Sequence, residues 1–255
     1  MKIDHIYIIT INNTPENYSD TINRIIDIGL PNECTYEFVG VNGYDIKQGD
    51  LDKMGVRLYD KWNASNFEES PLDTDNKFWY KDMTKGEIGC ALSHMQIWED
   101  AYEKKYDNII IFEDDVINDG QPFDWSVLQD IKHLNYDLFY LGRVPQGGFV
   151  GVEDVLIEEH PLICKPGYSY QAHAYMLSRT GLIKIVEDYL PILKNNLVPS
   201  DEFLPAICNW TPRLDLNELF PGYIRGFGLV EWDDVGVLQM RNDISGNSTT
   251  SPEYG

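Results

Sequence analysis

Glu113, Asp114 and Asp115 follow directly on the apolar run Asn108-Ile109-Ile110-Ile111-Phe112. Three adjacent carboxylates at the end of a buried strand cannot all ionise cheaply without a cation nearby. Their hard oxygens suit Mg2+ or Mn2+, ions that keep some water and hold phosphate oxygens. One reading is a divalent metal clamping a diphosphate. The other is an acidic cluster favoured by a helix N-terminus, and the triplet alone does not separate them. A second acidic pair, Asp201-Glu202, lies in Pro199-Ser200-Asp201-Glu202-Phe203-Leu204-Pro205. Ser200 is a fair N-cap, so both acids read first as ordinary first-turn charges. Their functional reading is a general base within reach of an attacking hydroxyl. His94 falls on a helical pattern, where a lone histidine is more often a packing residue than a ligand. Arg143, after the strand-like Asp137-Leu138-Phe139-Tyr140-Leu141, either meets phosphate or is an ordinary surface cation.

These groups need a scaffold, and the patterning supplies one. His5–Ile11 is a continuous apolar run, the mark of a strand covered on both faces. Thr14 and Pro15 suit a helix start, Gly29 a helix stop, and residues 36–41 a second strand. Such a strand–helix–strand unit implies a parallel sheet of the α/β class. Residues 44–83 are polar and irregular, either a functional loop or a tolerated insertion. Thr84-Lys85-Gly86-Glu87 spells a capping box, with apolar residues at helical spacing as far as about Tyr106. Further strands are expected at 137–141, 170–177 and 235–240, and helices at 179–190 and 201–209. No repeat divides the chain. We expect one domain over 1–250, with a donor-binding half to about 145, an acceptor-side half from 146, and a frayed end at 251–255.

With 255 residues the chain can bury a full core, and its net charge of −22 repels nucleic acid. The same charge is also the ordinary mark of a solvated surface. Cys34, Cys90, Cys164 and Cys208 form no CxxC pair and read as free thiols. No apolar run is long enough to span a bilayer. The start of the chain lacks a signal-peptide pattern, so a cytoplasmic protein, viral or microbial, is expected, or else a domain excised from a longer secretory-pathway protein. On that expectation the sequons at Asn12, Asn63 and Asn247 are idle.

Taken together, five segments resemble glycosyltransferase family 25, and most closely its collagen hydroxylysine galactosyltransferase group. They are MTKGEIGCALSHMQIW at 83–98, IIIFEDDV at 109–116, YDLFYLGR at 136–143, GYSYQAHAYMLS at 167–178 and VPSDEFLP at 198–205. The resemblance implies a GT-A-type, Rossmann-like nucleotide-sugar-binding sheet flanked by helices. It implies UDP-galactose or UDP-glucose as donor and Mn2+, or Mg2+, as cofactor. The acceptor it implies is hydroxylysine, or galactosyl-hydroxylysine, in a collagen-like protein. A lipooligosaccharide-type transferase acting on a saccharide, or a non-catalytic sugar- or collagen-binding module, is the alternative. Paired carboxylates would also serve a metal-free glycosidase. Self-association is left open.

Residue by residue, the resemblance assigns Asp115 and Asp114 to the metal, with Asp114 and Glu113 also near the ribose. Thr10, Asn12, Asn42, Lys85, Glu87, Ser93, His94 and Arg143 fall near the donor. Asp201, ahead of Glu202, faces the acceptor as the base; in a retaining reaction it would orient the acceptor instead. Three departures stand out. The family's Arg-rich stretch after the first strand is here INNTPENYSD at 11–20, and residues 60–82 look longer than in relatives. The late segment LQMRNDISG at 238–246 lacks the family's histidine. The third metal ligand is therefore sought among Asp233, Asp234 and Asp243.

Overall fold

The computed structural model describes residues 1–11, 23–24, 27–28, 35–47, 49–62, 82–117, 123–145, 153–208, 211–229 and 239–240. Strands β1 (His5–Ile9), β2 (Thr35–Val39) and β3 (Asn108–Glu113) form its first half. β1 lies between β2 and β3 and is parallel to both. Between β2 and β3 come a 3-10 turn (Gly43–Asp45), α1 (Asp50–Lys53) and the long α2 (Lys85–Glu103). α2 begins on the expected capping box: Thr84 Oγ1 accepts from Glu87 N at 3.2 Å, and Glu87 Oε2 accepts from Thr84 N at 2.6 Å.

β4 (Val116–Ile117), α3 (Val127–Ile131) and β5 (Leu138–Pro145) follow. Then come β6 (Val155–Ile157), β7 (His160–Lys165) and β8 (Ser169–Ser178). α4 (Arg179–Ile183) runs through a π turn (Lys184–Tyr189) into α5 (Leu190–Asn195). α6 (Ser200–Cys208), α7 (Leu214–Leu219), β9 (Gly226–Leu229) and β10 (Gln239–Met240) complete the order. The main sheet runs β2-β1-β3-β8-β5-β9-β7-β6, and β4 pairs with β10 in a second, two-stranded sheet.

The α/β class and the helix-flanked sheet are as expected, but the sheet is mixed. β8 is antiparallel to both β3 and β5. A parallel neighbour needs a crossover, usually helical. The chain between β5 and β8 instead carries the antiparallel β6–β7 pair, so β8 returns beside β5 in the opposite sense. Residues 44–62 also prove more ordered than a loop, holding the 3-10 turn, α1 and a bridge between Leu58 and Leu197. The expected helix at 179–190 continues to Asn195 across the π turn. The helix expected after Thr14 lies mostly outside the described residues, as does most of the strand expected at 235–240.

Alternation along the strands separates two cores. Tyr7, Ile9, Ile109 and Ile111 face α2 and the helices after β8. Ile6, Ile8, Ile110 and Phe112 face the opposite layer with Leu128 and Ile131 of α3. Because side chains alternate with period two, the residue after Phe112 must turn toward α2. That residue is Glu113. Among the described residues, no helix is long and apolar enough to cross a membrane.

Candidate active site

The carboxyl ends of β1 and β3 open on a cleft lined by Thr10, Asn42, Gly43, Tyr44, Cys90, Ser93 and the triplet Glu113–Asp115. This is where ligands bind in open α/β sheets. Gly43 lets its near wall form: a Cβ there would sit 1.7 Å from the Lys85 carbonyl oxygen, so the 3-10 turn can abut the start of α2 only with glycine. Asn42 Oδ1 accepts from Tyr44 N at 3.0 Å and fixes that turn. Ser93 Oγ accepts from Val41 N and donates to the Gly89 carbonyl, both at 2.8 Å, tying the segment after β2 to α2.

Each member of the triplet has a different setting. Glu113 stands 3.3 Å from His94 Nε2 and accepts from the Cys90 thiol at 3.7 Å. His94 Nδ1 is 2.7 Å from the Tyr175 hydroxyl, which accepts from Trp98 Nε1 at 3.1 Å. The donors close in one direction. Tyr175 takes the Trp98 N–H and gives its own proton to Nδ1, leaving the His94 proton on Nε2 to face Glu113. Burial raises the Glu113 carboxyl, but the bond from His94, helped by His173 and the Cys90 thiol, outweighs it and holds Glu113 below its ordinary value.

Asp114 Oδ2 accepts from Thr10 Oγ1 at 2.5 Å, and its carbonyl accepts from Arg24 Nη2 at 2.5 Å. Burial, with the Glu113 charge, still raises it above its ordinary value. Asp115 is the outlier. Its Oδ1 is buried without a hydrogen-bond partner. Burial and the charges of Glu113 and Asp114 push its carboxyl up to about 7. An orphaned buried carboxylate oxygen beside two more acids is the donor set a hard divalent cation satisfies, so Asp114 and Asp115 fit the expected metal. Cys90, His94 and Glu113 also place ligand atoms within 4.8 Å of one another. Their mutual hydrogen bonds account for that spacing without an ion.

The second acidic segment comes within electrostatic reach of Glu113 from α6. Asp201 is pushed up to about 8, first by burial, then by the charges of Glu202, Glu113 and Glu87. The Cys90 thiol in turn feels both Glu113 and Asp201. Glu202 points elsewhere. It is buried, accepting from the Tyr168 hydroxyl at 2.8 Å and from Thr211 Oγ1 at 3.1 Å, which fits an anchor for α6 better than a base.

The donor-side expectations divide similarly. Thr10, Asn42, Ser93, Glu113 and Asp114 line the cleft. His94 backs it through Glu113. Glu87 serves the capping box and Lys85 lines a neighbouring groove. Arg143 is a correction. β5 runs on to Pro145, so Arg143 sits inside the strand, buried and ion-paired with Asp154, and not at a strand end facing phosphate. Asn12, Asp233, Asp234 and Asp243 lie outside the described residues. Sequence reasoning missed Cys90, Trp98 and Tyr175. Cys90 and Trp98 stand four residues either side of His94 on one helix face, a spacing that could have found them. Tyr175 comes from a distant strand and gave no such signal.

A family described as glycosyltransferase family 25 (LPS biosynthesis protein) matches residues 3–143. A glycosyltransferase 25 family member of Aedes aegypti is 28% identical over 97% of this chain and 37% of its own length. An inactive glycosyltransferase 25 family member 3 of Mus musculus is 27% identical over 97% of this chain and 38% of its own length. The chain thus spans less than two fifths of these relatives. Among solved structures, A197 from STIV gives a TM-score of 0.40 at 10% identity, over 93% of this chain and 83% of its own, too loose a likeness to bear on function. The match to the family covers more than half of the chain and includes β1, α2, β3 and the acidic triplet; this chain belongs to glycosyltransferase family 25.

Proposed function

We propose that the chain transfers a hexose, galactose or glucose, from a UDP-sugar to hydroxylysine or galactosyl-hydroxylysine in a collagen-like protein. One observation carries the enzymatic part of this reading. Asp201, from α6, comes within electrostatic reach of Glu113 at the end of β3, so a raised carboxyl stands near a metal-type acidic triplet. The collagen acceptor rests on the resemblance of the motif segments alone.

In this reading Asp114 and Asp115 hold Mn2+ or Mg2+, which when bound neutralises charge on the departing diphosphate. Thr10 fixes the orientation of Asp114 through its 2.5 Å bond. His94 keeps Glu113 ionised beside the nucleotide. Asp201 takes the proton of the acceptor hydroxyl as its oxygen bonds to the anomeric carbon, and UDP leaves with the electron pair of the broken bond. A carboxyl raised toward neutral pH is a better match to that proton than an ordinary aspartate. Direct attack inverts the anomeric centre. In a retaining reaction Asp201 orients the acceptor.

A second reading is a binding module without turnover, because a relative matched over nearly the whole chain is named inactive. UDP release separates the two. With UDP-galactose or UDP-glucose, Mn2+ and hydroxylysine, the wild type should turn over. Asp115→Asn and Asp201→Asn should each lose at least about a hundredfold in kcat, in the range seen for lost acid–base or charge-stabilising groups. Binding of the UDP-sugar without release would favour the module. Release that survives chelation of all divalent ions would overturn the metal assignment.

A further inference from the structure

Gln171 adopts φ +60°, a conformation that L side chains other than Asn and Asp rarely take. Among the described residues only Lys105 shares it, on the exposed turn after α2. Gln171 is different, because it interrupts a central strand. Along β8, Ala174 pairs with Gly142 and Tyr170 with Val144, so residues 171–173 bulge opposite the single Arg143. On the other side, the β3–β8 ladder ends at Phe112 and Ala174. Because the strands are antiparallel, the bulge lies beside the start of the acidic triplet. His173, within it, is close enough to act on the Glu113 charge. Finally, Gln171 Oε1 is buried with no hydrogen-bond partner. Backbone strain and an orphaned polar atom in one residue are costs that a fold keeps where a ligand offsets them.

The sheet order says which part of a ligand that is. Thr10, Asn42 and Tyr44 lie on the β1–β2 side of the triplet, Gln171 on the β8 side. A UDP-hexose with its diphosphate at the end of β3 and its uridine toward β2 puts its sugar toward β8. An orphaned amide oxygen needs an O–H or N–H donor. A diphosphate offers none and a hexose offers several.

We propose that Gln171 accepts a hydrogen bond from a hydroxyl of the hexose being transferred, and that its strained bulge holds the amide there to choose among hexoses. This rests on the donor reading above. Gln171→Gly removes the amide and the strain together. Its thermal midpoint should rise by about 2–4 °C, the shift expected for a chain of this size on relief of a modest strain. Its kcat/KM should fall about tenfold, the worth of one such bond, with the galactose-to-glucose ratio altered and the affinity for UDP alone unchanged. Gln171→Asn, which tolerates this conformation but is one methylene shorter, should also lose efficiency, with a smaller gain in midpoint. Unchanged kcat/KM and ratio in both folded variants would overturn the inference and leave the donor reading standing. A parallel loss of UDP affinity would overturn it too, by moving Gln171 to the nucleotide. A wild type that neither releases UDP from any hexose donor nor binds one more tightly than UDP would overturn both.

Discussion

Replacing Tyr175 by Phe tests the buried relay behind Glu113. The change deletes one oxygen and leaves almost no cavity, so packing contributes little. What it removes is the only atom between two fully buried groups, the Trp98 N–H at 3.1 Å and His94 Nδ1 at 2.7 Å. A buried polar group left without a partner costs about 1–3 kcal/mol, so two such groups should cost about 3 kcal/mol or more. Urea unfolding of the wild type and Tyr175→Phe at pH 7 measures this directly. Tyr102→Phe is the control: its hydroxyl bonds Glu187 at 2.6 Å on the surface, where water replaces the lost partner, and its midpoint should not move. The variant also frees the His94 tautomer, so the lowered carboxyl of Glu113 should drift upward. A loss below about 0.5 kcal/mol, the scatter of neutral surface changes, would refute the relay as the thing that fixes His94.

Two further outcomes concern the frame. Asp137 is fully buried and accepts from Lys184 Nζ at 2.6 Å, Thr180 Oγ1 at 2.7 Å and Arg225 Nη2 at 2.9 Å. Burial raises its carboxyl, yet the bonds from Arg225 and Lys184 outweigh it and hold it far below its ordinary value. A carboxyl depressed on folding contributes stability above its unfolded value of about 3.9 and loses it as pH falls toward the folded one. Asp137→Asn should therefore cost about 3 kcal/mol at pH 7, the low end for breaking a buried pair because both cations keep some water, and roughly 1 kcal/mol less near pH 3, where the unfolded carboxyl has begun to protonate, read by urea midpoints across that range. Gly43→Ala should cost at least about 2 kcal/mol, because the new Cβ meets the Lys85 carbonyl and the backbone on both sides must shift; thermal unfolding reads the loss, and UDP binding should weaken with it.

Much of this protein was legible in its sequence because the information was local. The apolar run before Glu113 marked a doubly covered strand, and the capping box of Thr84 and Glu87 marked where α2 begins. Charge chemistry alone left the triplet open between a metal site and an acidic cluster at a helix N-terminus, and it was the resemblance of the surrounding segments that favoured the metal. Only the tertiary structure could decide what depends on distant segments meeting. It brought Asp201 from α6 to the triplet, turned its neighbour Glu202 into the core against Tyr168 and Thr211, and buried Arg143 against Asp154. It ran β8 antiparallel beside β3, so that Tyr175 reaches His94 and the bulge at Gln171 lies beside the end of β3. Side-chain periodicity is a property of neighbours along the chain, whereas the partner of a buried polar group is set by strand order and register, and those emerge only when the whole sheet assembles.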